Sequence, residues 1–447
     1  MKLNRTTWPA LAGIIVTGST AAAADLEKPA WLTDCSVGIK EAYDSNVFLS
    51  GVNNPPPYTV PAGSVAALKD CYSWITKVSP KIGVNFAPLM GATNSQTMLS
   101  LAYAPDYVIY HDQGSESYDA QRVLATVKAG NDLATVNADN NFAYIDGSRY
   151  GPVYPGNSYS GFGTIFDRAR RRQILETANY TLQFDVFEHW FFRPAAALIY
   201  NDMMTEQLNT ALPKNEGYQN YADRTDVNGG ADVGYRITDQ FAATIGYRYG
   251  QQYQEQYSFS PDSSPNSYQR LLFGIEGNPW KWLNVKLVGG PDFRSYERDS
   301  AGHTTPVKDF NPVKYYGEGL VTATMTEHDA LAFKYKYWEW LGGTGKVPYT
   351  DASYELNYHH KFCEKLGLDL GGKLMSWDFN DSLPSVAHRH DLQYTLSSGL
   401  TYTLNKHISF NAGYAFNWGR NDESDVTNPG ARQFDQQLIS LGTQWKF

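Results

Sequence analysis

Cysteine is scarce in this sequence, with only Cys35, Cys71 and Cys363 among 447 residues. An odd and widely spaced set cannot close the disulfide framework on which small exported domains depend, so cysteine does not organise the fold. Long apolar runs are scarcer. Beyond the amino terminus nothing approaches the ~20 consecutive apolar residues of a membrane helix, the longest stretch lying near Pro194 to Tyr200. Charge is low too, at 19% with a formal net of -9, and a weakly charged chain rich in aromatic residues has apolar surface to bury, which excludes disorder. Catalytic motifs are missing: there is no His-Glu-x-x-His metal pattern and no Gly-x-Ser-x-Gly nucleophile elbow. His388 and His390 share a strand face but lack a third ligand, and Asp146-Gly147 is a turn signal, not a calcium loop. An enzyme, a cofactor and a metal are therefore not expected.

What is abundant is aromatic. Tyr 32, Phe 21 and Trp 11 make 14% of the chain, beside 38 glycines, a composition of strands and turns. At the amino terminus Lys2 and Arg5 precede a short apolar core, Ala10 to Val16, and the small-residue exit Ala22-Ala23-Ala24. This reads as a signal peptide, residues 1–24, cut after Ala24. Its removal takes two basic residues and leaves 35 basic against 46 acidic side chains, a net of -11; nucleic acid is excluded as a partner.

From Cys35 onward one theme repeats, a segment of alternating apolar and polar residues followed by a connection that is by turns very short and long. Leu392, Tyr394, Leu396, Leu400, Tyr402 and Leu404 share one face while Gln393, Thr395, Ser397, Gly399, Thr401 and Thr403 share the other, which is the period of a strand. Ile408, Phe410, Ala412, Tyr414, Phe416 and Trp418 repeat the pattern after only Asn405, Lys406 and His407, a tight hairpin. Such segments begin near residues 36, 73, 97, 119, 133, 168, 189, 224, 240, 267, 281, 313, 329, 350, 366, 388, 407 and 434. Short/long alternation along an exported chain is the pattern of a transmembrane antiparallel up-and-down β-barrel, all-β, of about 18 strands (16 to 20); closure leaves no strand edge in hydrocarbon. Residues 25–34 form a short periplasmic lead-in and 35–447 the barrel, with no second domain.

The last strand carries Ile439, Leu441, Thr443, Trp445 and terminal Phe447 on one face. It resembles the terminal strand that barrel-assembly machinery reads in bacterial outer-membrane proteins, with Trp445 and Phe447 as the signal. In the amino-terminal third, the segments Ser36 to Leu49 with Tyr43-Asp-Ser-Asn-Val-Phe48, Trp74 to Val84, and Leu101 to Tyr107 resemble the β-barrel porin type 2 family. Ser73 stands where that family has an acidic residue. The resemblance spans roughly residues 36 to 110 and implies an outer-membrane barrel without naming a substrate. Some relatives lie beside exopolysaccharide export genes, which implies an alternative role as an export barrel; a surface adhesin or structural barrel is the other.

A barrel this wide holds an aqueous channel by default. Its wet face carries Lys77, Lys81, Asp185, Asp232, Arg236, Arg248, Arg270, Glu276, Lys286, Arg294, Lys334, Lys336, Glu355 and Lys373 as pore-lining candidates. Interleaved signs with a slight basic excess predict weak selectivity, tilted to anions or small polar solutes. The Tyr-rich loop 147–166 is a candidate constriction or sugar-stacking loop. Arg168, Arg170 and Arg172, by parity on the lipid face at the outer rim, are candidates to bind lipopolysaccharide phosphates. Trp190, Trp280, Trp282 and Trp418 are expected in interfacial belts. The expected setting is the cell outer membrane, as a monomer or a trimer.

Overall fold

The computed structural model describes residues 29–47, 72–91, 97–131, 133–146, 172–204, 223–254, 263–297, 307–342, 348–379, 389–423 and 434–447. The expected signal peptide, residues 25–28 of the lead-in, loop 147–166, Arg168, Arg170, Cys71 and His388 lie outside them.

The alternating segments are strands: β1 (Leu32–Asp44), β2 (Ser73–Asn85), β3 (Met98–Tyr103), β4 (Asp106–Tyr110), β5 (Tyr118–Gly130) and β6 (Ala134–Asp146). Then come β7 (Arg172–Asp185), β8 (Trp190–Asp202), β9 (Arg224–Thr238), β10 (Phe241–Gln254), β11 (Asn266–Trp280), β12 (Leu283–Tyr296) and β13 (Val313–Thr324). The last are β14 (Asp329–Leu341), β15 (Pro348–Cys363), β16 (Leu366–Asp378), β17 (Arg389–Thr403), β18 (Ile408–Glu423) and β19 (Phe434–Lys446). β1 begins at Leu32, inside the expected lead-in, because Asp34 and Leu32 still find partners in Gly83 and Val84 of β2.

Sequence neighbours pair antiparallel, and β1 pairs with β19 from Ser36 opposite Lys446 to Asp44 opposite Leu438, so the sheet closes on itself. β3 and β4 both run between β2 and β5 and are two halves of one wall strand. Pro105 interrupts it, having no N–H for the ladder. The result is a closed barrel of 18 strands. The tight turns gather at one end. At two of them an asparagine folds its side chain back onto the backbone: Asn131 Oδ1 accepts from the N–H groups of Leu133 and Ala134, and Asn405 Oδ1 from those of His407 and Ile408, at 2.8–2.9 Å. The exception at this end is the β2–β3 connection, which carries a 3-10 turn at Pro88–Met90.

Large apolar side chains stay exposed on alternate residues: Ile245, Tyr247, Tyr249 and Tyr253 on β10, Leu396, Leu400 and Tyr402 on β17, Ile439, Leu441 and Trp445 on β19. A surface of this kind is stable against lipid, not water. Aromatic pairs border it at both ends, Trp190 with Tyr235 (5.0 Å) and Trp280 with Trp282 (5.8 Å) near the tight turns, Tyr43 with Trp74 (5.4 Å) and Tyr394 with Trp418 (4.9 Å) near the long loops. On β8 the outward run from Trp190 to Tyr200 spans ~34 Å of strand at ~3.4 Å per residue. A tilt of ~40° reduces this to a height of about 26 Å, close to the ~25 Å apolar band of a membrane barrel.

Candidate functional site: the inner wall and an inward hairpin

One contact identifies the concave face. Arg193 of β8 donates through Nη1 and Nη2 to the Glu276 carboxylate of β11 at 2.7 and 2.9 Å. To do so it reaches over β9 and β10, which is possible only inside the barrel. Arg193 also donates from Nε to Asp232 of β9 at 3.1 Å, and Arg248 of β10 lies 2.8 Å from the same carboxylate. Arg236 holds Asp185 across β8. From these anchors the pairing register puts Lys77, Lys81, Asp185, Asp232, Arg236, Arg248, Arg270, Glu276, Lys286, Arg294, Lys334, Lys336, Glu355 and Lys373 on the inner face. Arg193 is not among the sequence candidates, since Trp190 to Tyr200 is apolar at both parities and its wet face cannot be told from its dry one.

The bore is not uniform. β14 pairs with β13 only as far as Tyr337 opposite Gly317, then leaves the wall while staying bonded to β15 as far as Leu341 opposite Pro348. This hairpin end turns inward onto β9 to β12, whose side chains take its backbone carbonyls. Gln252 and Arg294 donate to Glu339 O at 3.1 Å each, Gln254 to Gly342 O at 2.7 Å, and Arg224 to Leu341 O at 2.8 Å. The sequence gives a reason. Trp338, Trp340 and Leu341 are apolar on both parities, and all three are buried; a wall strand can cover only one of its faces, so this segment needs cover on two. The rings of Trp338 and Trp340 stack at 4.6 Å, with the Arg224 guanidinium 5.4 Å from Trp340 and Lys336 Nζ 3.9 Å from Trp338.

Beneath the hairpin lies a closed polar cluster. Arg294, with no exposed side-chain surface, donates to Asp292 (2.9 Å), Gln252 Oε1 (2.9 Å) and Asn266 Oδ1 (3.0 Å). Asp292 also accepts from Arg270 Nε at 3.0 Å, and Arg270 sits over the rings of Tyr268 and Tyr316 at 3.9 and 4.2 Å. The Glu339 carboxylate takes the Tyr296 hydroxyl and stands 3.2 Å from Lys314 Nζ. Arg270 and Arg294 therefore anchor the hairpin and do not front the open lumen. The expected constriction, loop 147–166, lies outside the described residues; among those described, the inward element is the β14–β15 hairpin.

Elsewhere most inner arginines are paired and the inner lysines are mixed, Lys77, Lys81 and Lys314 holding Asp106, Asp34 and Glu339. Arg122, Arg193, Arg236, Arg248, Arg270 and Arg294 each hold a carboxylate. Among the described residues Lys40, Lys128, Lys286, Lys334 and Lys373 have no carboxylate within ion-pair distance. Paired charges largely cancel at a distance; the unpaired lysines are interleaved with inner carboxylates that also hold no cation, Asp139, Glu318 and Glu355, so the wall carries both signs. The planar guanidinium suits fixed carboxylate geometry, whereas the ammonium is a mobile point charge.

No family model matches the sequence, and no curated protein matches it. Solved structures with a similar fold include OpdK, an outer-membrane protein of Pseudomonas aeruginosa (11% identity, TM-score 0.40, covering 93% of this chain and 99% of that one). Two others are OccAB3 of Acinetobacter baumannii (12%, TM-score 0.41, 93% and 99%) and the FrpB iron transporter of Neisseria meningitidis (8%, TM-score 0.44, 93% and 81%). Likeness at this level does not bear on function, and the barrel stands on its own strand pairing.

At the rim, Arg172 opens β7 with its side chain half exposed and Nε 3.3 Å from Asp146 Oδ1. At the other end the Phe447 N–H donates to Cys35 O at 2.9 Å, joining the terminal residue to β1, with the rings of Trp445 and Phe447 6.4 Å apart on the outside.

Proposed function

We propose that this chain is an outer-membrane channel for passive diffusion of small polar solutes, weakly selective with a preference for anions, of the kind the β-barrel porin type 2 resemblance implies. The observation that carries the reading is the set of unpaired lysines, Lys40, Lys128, Lys286, Lys334 and Lys373, interleaved with fewer unpaired carboxylates such as Asp139, Glu318 and Glu355 on the inner wall of a closed barrel most of whose arginines hold partners. A barrel of 18 strands is too wide for side chains to fill, which favours a water-filled bore narrowed by the β14–β15 hairpin over a solid plug. Export by the signal peptide, assembly through the Trp445 and Phe447 strand, and lipopolysaccharide phosphates at Arg168, Arg170 and Arg172 belong to the same reading. The test is the refolded full chain in a planar bilayer under a potassium chloride gradient. A persistent open conductance with a reversal potential on the anion side is expected; a closed barrel, or a cation-side potential, overturns the reading.

A further inference from the structure

Below the hairpin, the inner wall of β14 to β17 carries three stacked rows. The pairing register sets Lys334, Glu355, Lys373 and Thr395 in one row, Ala332, Asn357, Gly371 and Ser397 in the next, and Ala330, His359, Asp369 and Gly399 in the third. Successive rows are two residues apart, ~7 Å along the strand. Because Ala332, Gly371 and Gly399 have little or no side chain, the two lower rows form a recess of about 390 Å³ opening to the bore.

Polar groups meet in the recess at Gly371. A Cβ added to Gly371 would stand 2.4 Å from Ser397 Oγ and 3.2 Å from Asn357 Oδ1, so both oxygens face the space that the glycine leaves. The Asn357 amide is oriented by its own N–H, which donates to Glu355 Oε1 at 2.8 Å and turns the carbonyl oxygen to that space. At the foot, His359 Nδ1 and Asp369 Oδ1 lie 2.8 Å apart. At the top, Lys334 and Lys373 flank Glu355 in register on the row next to the recess, and neither comes within ion-pair distance of it.

We propose that this recess is a binding site for small hydroxylated organic anions, with the carboxylate held by Lys334 and Lys373 and the hydroxyls by Asn357, Ser397 and the Asp369 carboxylate. Lysine charge alone draws any anion. What the recess adds is an acceptor and a hydroxyl converging on a space one glycine deep, which suits a ligand hydroxyl and leaves nothing for a bare carboxylate or chloride to gain. The proposal rests on the anion reading above and deepens it. Weak residence at such a wall site speeds transfer of a dilute solute while remaining loose enough for release.

The test uses the full chain in a planar bilayer with gluconate as the hydroxylated anion and acetate as its plain counterpart. Gluconate is expected to block chloride current at a concentration roughly tenfold below that of acetate, one hydrogen-bonded subsite being worth a factor of that order. Gly371→Val fills the recess without changing charge; it should bring the gluconate half-block to the acetate value and leave the chloride reversal potential unaltered. Asn357→Leu with Ser397→Ala should do the same if Gly371→Val does not assemble. Lys334→Gln with Lys373→Gln should weaken block by both anions and shift the reversal potential as well. Equal block by gluconate and acetate in the wild type, or gluconate block unchanged in both recess variants, overturns the proposal. A wild-type channel without anion preference instead overturns the reading on which it rests.

Discussion

The inward hairpin rests on a polar cluster whose central carboxylate, Asp292, can be neutralised without touching the barrel ladder. Asp292 is fully buried and accepts from both Arg270 and Arg294. Asp292→Asn leaves two guanidiniums with a neutral partner, and breaking a buried pair of this kind costs about 3–5 kcal/mol. That cost falls on the docked state alone, because with the hairpin lifted both arginines face lumen water. Against it stand four hydrogen bonds to hairpin carbonyls, from Arg224, Arg294, Gln252 and Gln254, together with the Tyr296 and Lys314 contacts to the Glu339 carboxylate. At about 1.5–3 kcal/mol for each of the four contacts with a charged group and about 0.5–1.5 for each amide, they sum to roughly 7–15 kcal/mol. The cost removes a large part of that holding energy, so the docked population should fall by roughly two to four orders of magnitude relative to the lifted one, and a wider conducting level should appear. Single-channel recording of Asp292→Asn reads this as a second, larger conductance absent from the wild type, while heat-modifiable migration on gels, which follows the wall, is kept. A single conductance level identical to the wild type would refute the docking argument.

Adjacent residues on β17 test the two faces: Leu400→Arg, on the lipid side, should destabilise the barrel by about 2–4 kcal/mol in bilayer unfolding, whereas Thr401→Arg on the lumen side should be near neutral. Selectivity should follow unpaired charge. Lys128→Met is expected to move the reversal potential toward zero, while removing a pair together, Arg236→Met with Asp185→Leu, should leave it in place. Deleting Phe447 should reduce assembly in cells and leave refolding in detergent intact, since its ring lies on the outside of the barrel. Arg172→Glu should abolish the rise in melting temperature that lipopolysaccharide gives the wild type; an equal rise in both sinks the rim proposal.

The barrel was legible because its code is local. Strand starts read from alternation, near 36, 97, 168, 267 and 388, fall at 32, 98, 172, 266 and 389, and Asn405 and Asn131 mark the turns they cap. The inner charges were legible for the same reason wherever one parity was plainly polar, as at Lys334 and Lys336 or Arg294 and Asp292. Arg193 was hidden because its strand is apolar on both faces. The hairpin was hidden more deeply. Trp338-Glu-Trp-Leu341 reads as the outer end of a wall strand, and its short connection to β15 looks like an ordinary loop; that it leaves β13 depends on Gln252, Gln254, Arg224 and Arg294, residues 45 to 117 positions away in sequence. Periodicity reports which neighbour a strand faces, not which distant side chains will accept it. Two features distinguish this barrel from any other of its size: the hairpin, apolar on both faces, breaks the alternation by which the rest was read, and the recess below it obeys the alternation but puts glycine where an inward side chain would stand. Departures of that kind are where function is to be sought in a wall built on repetition.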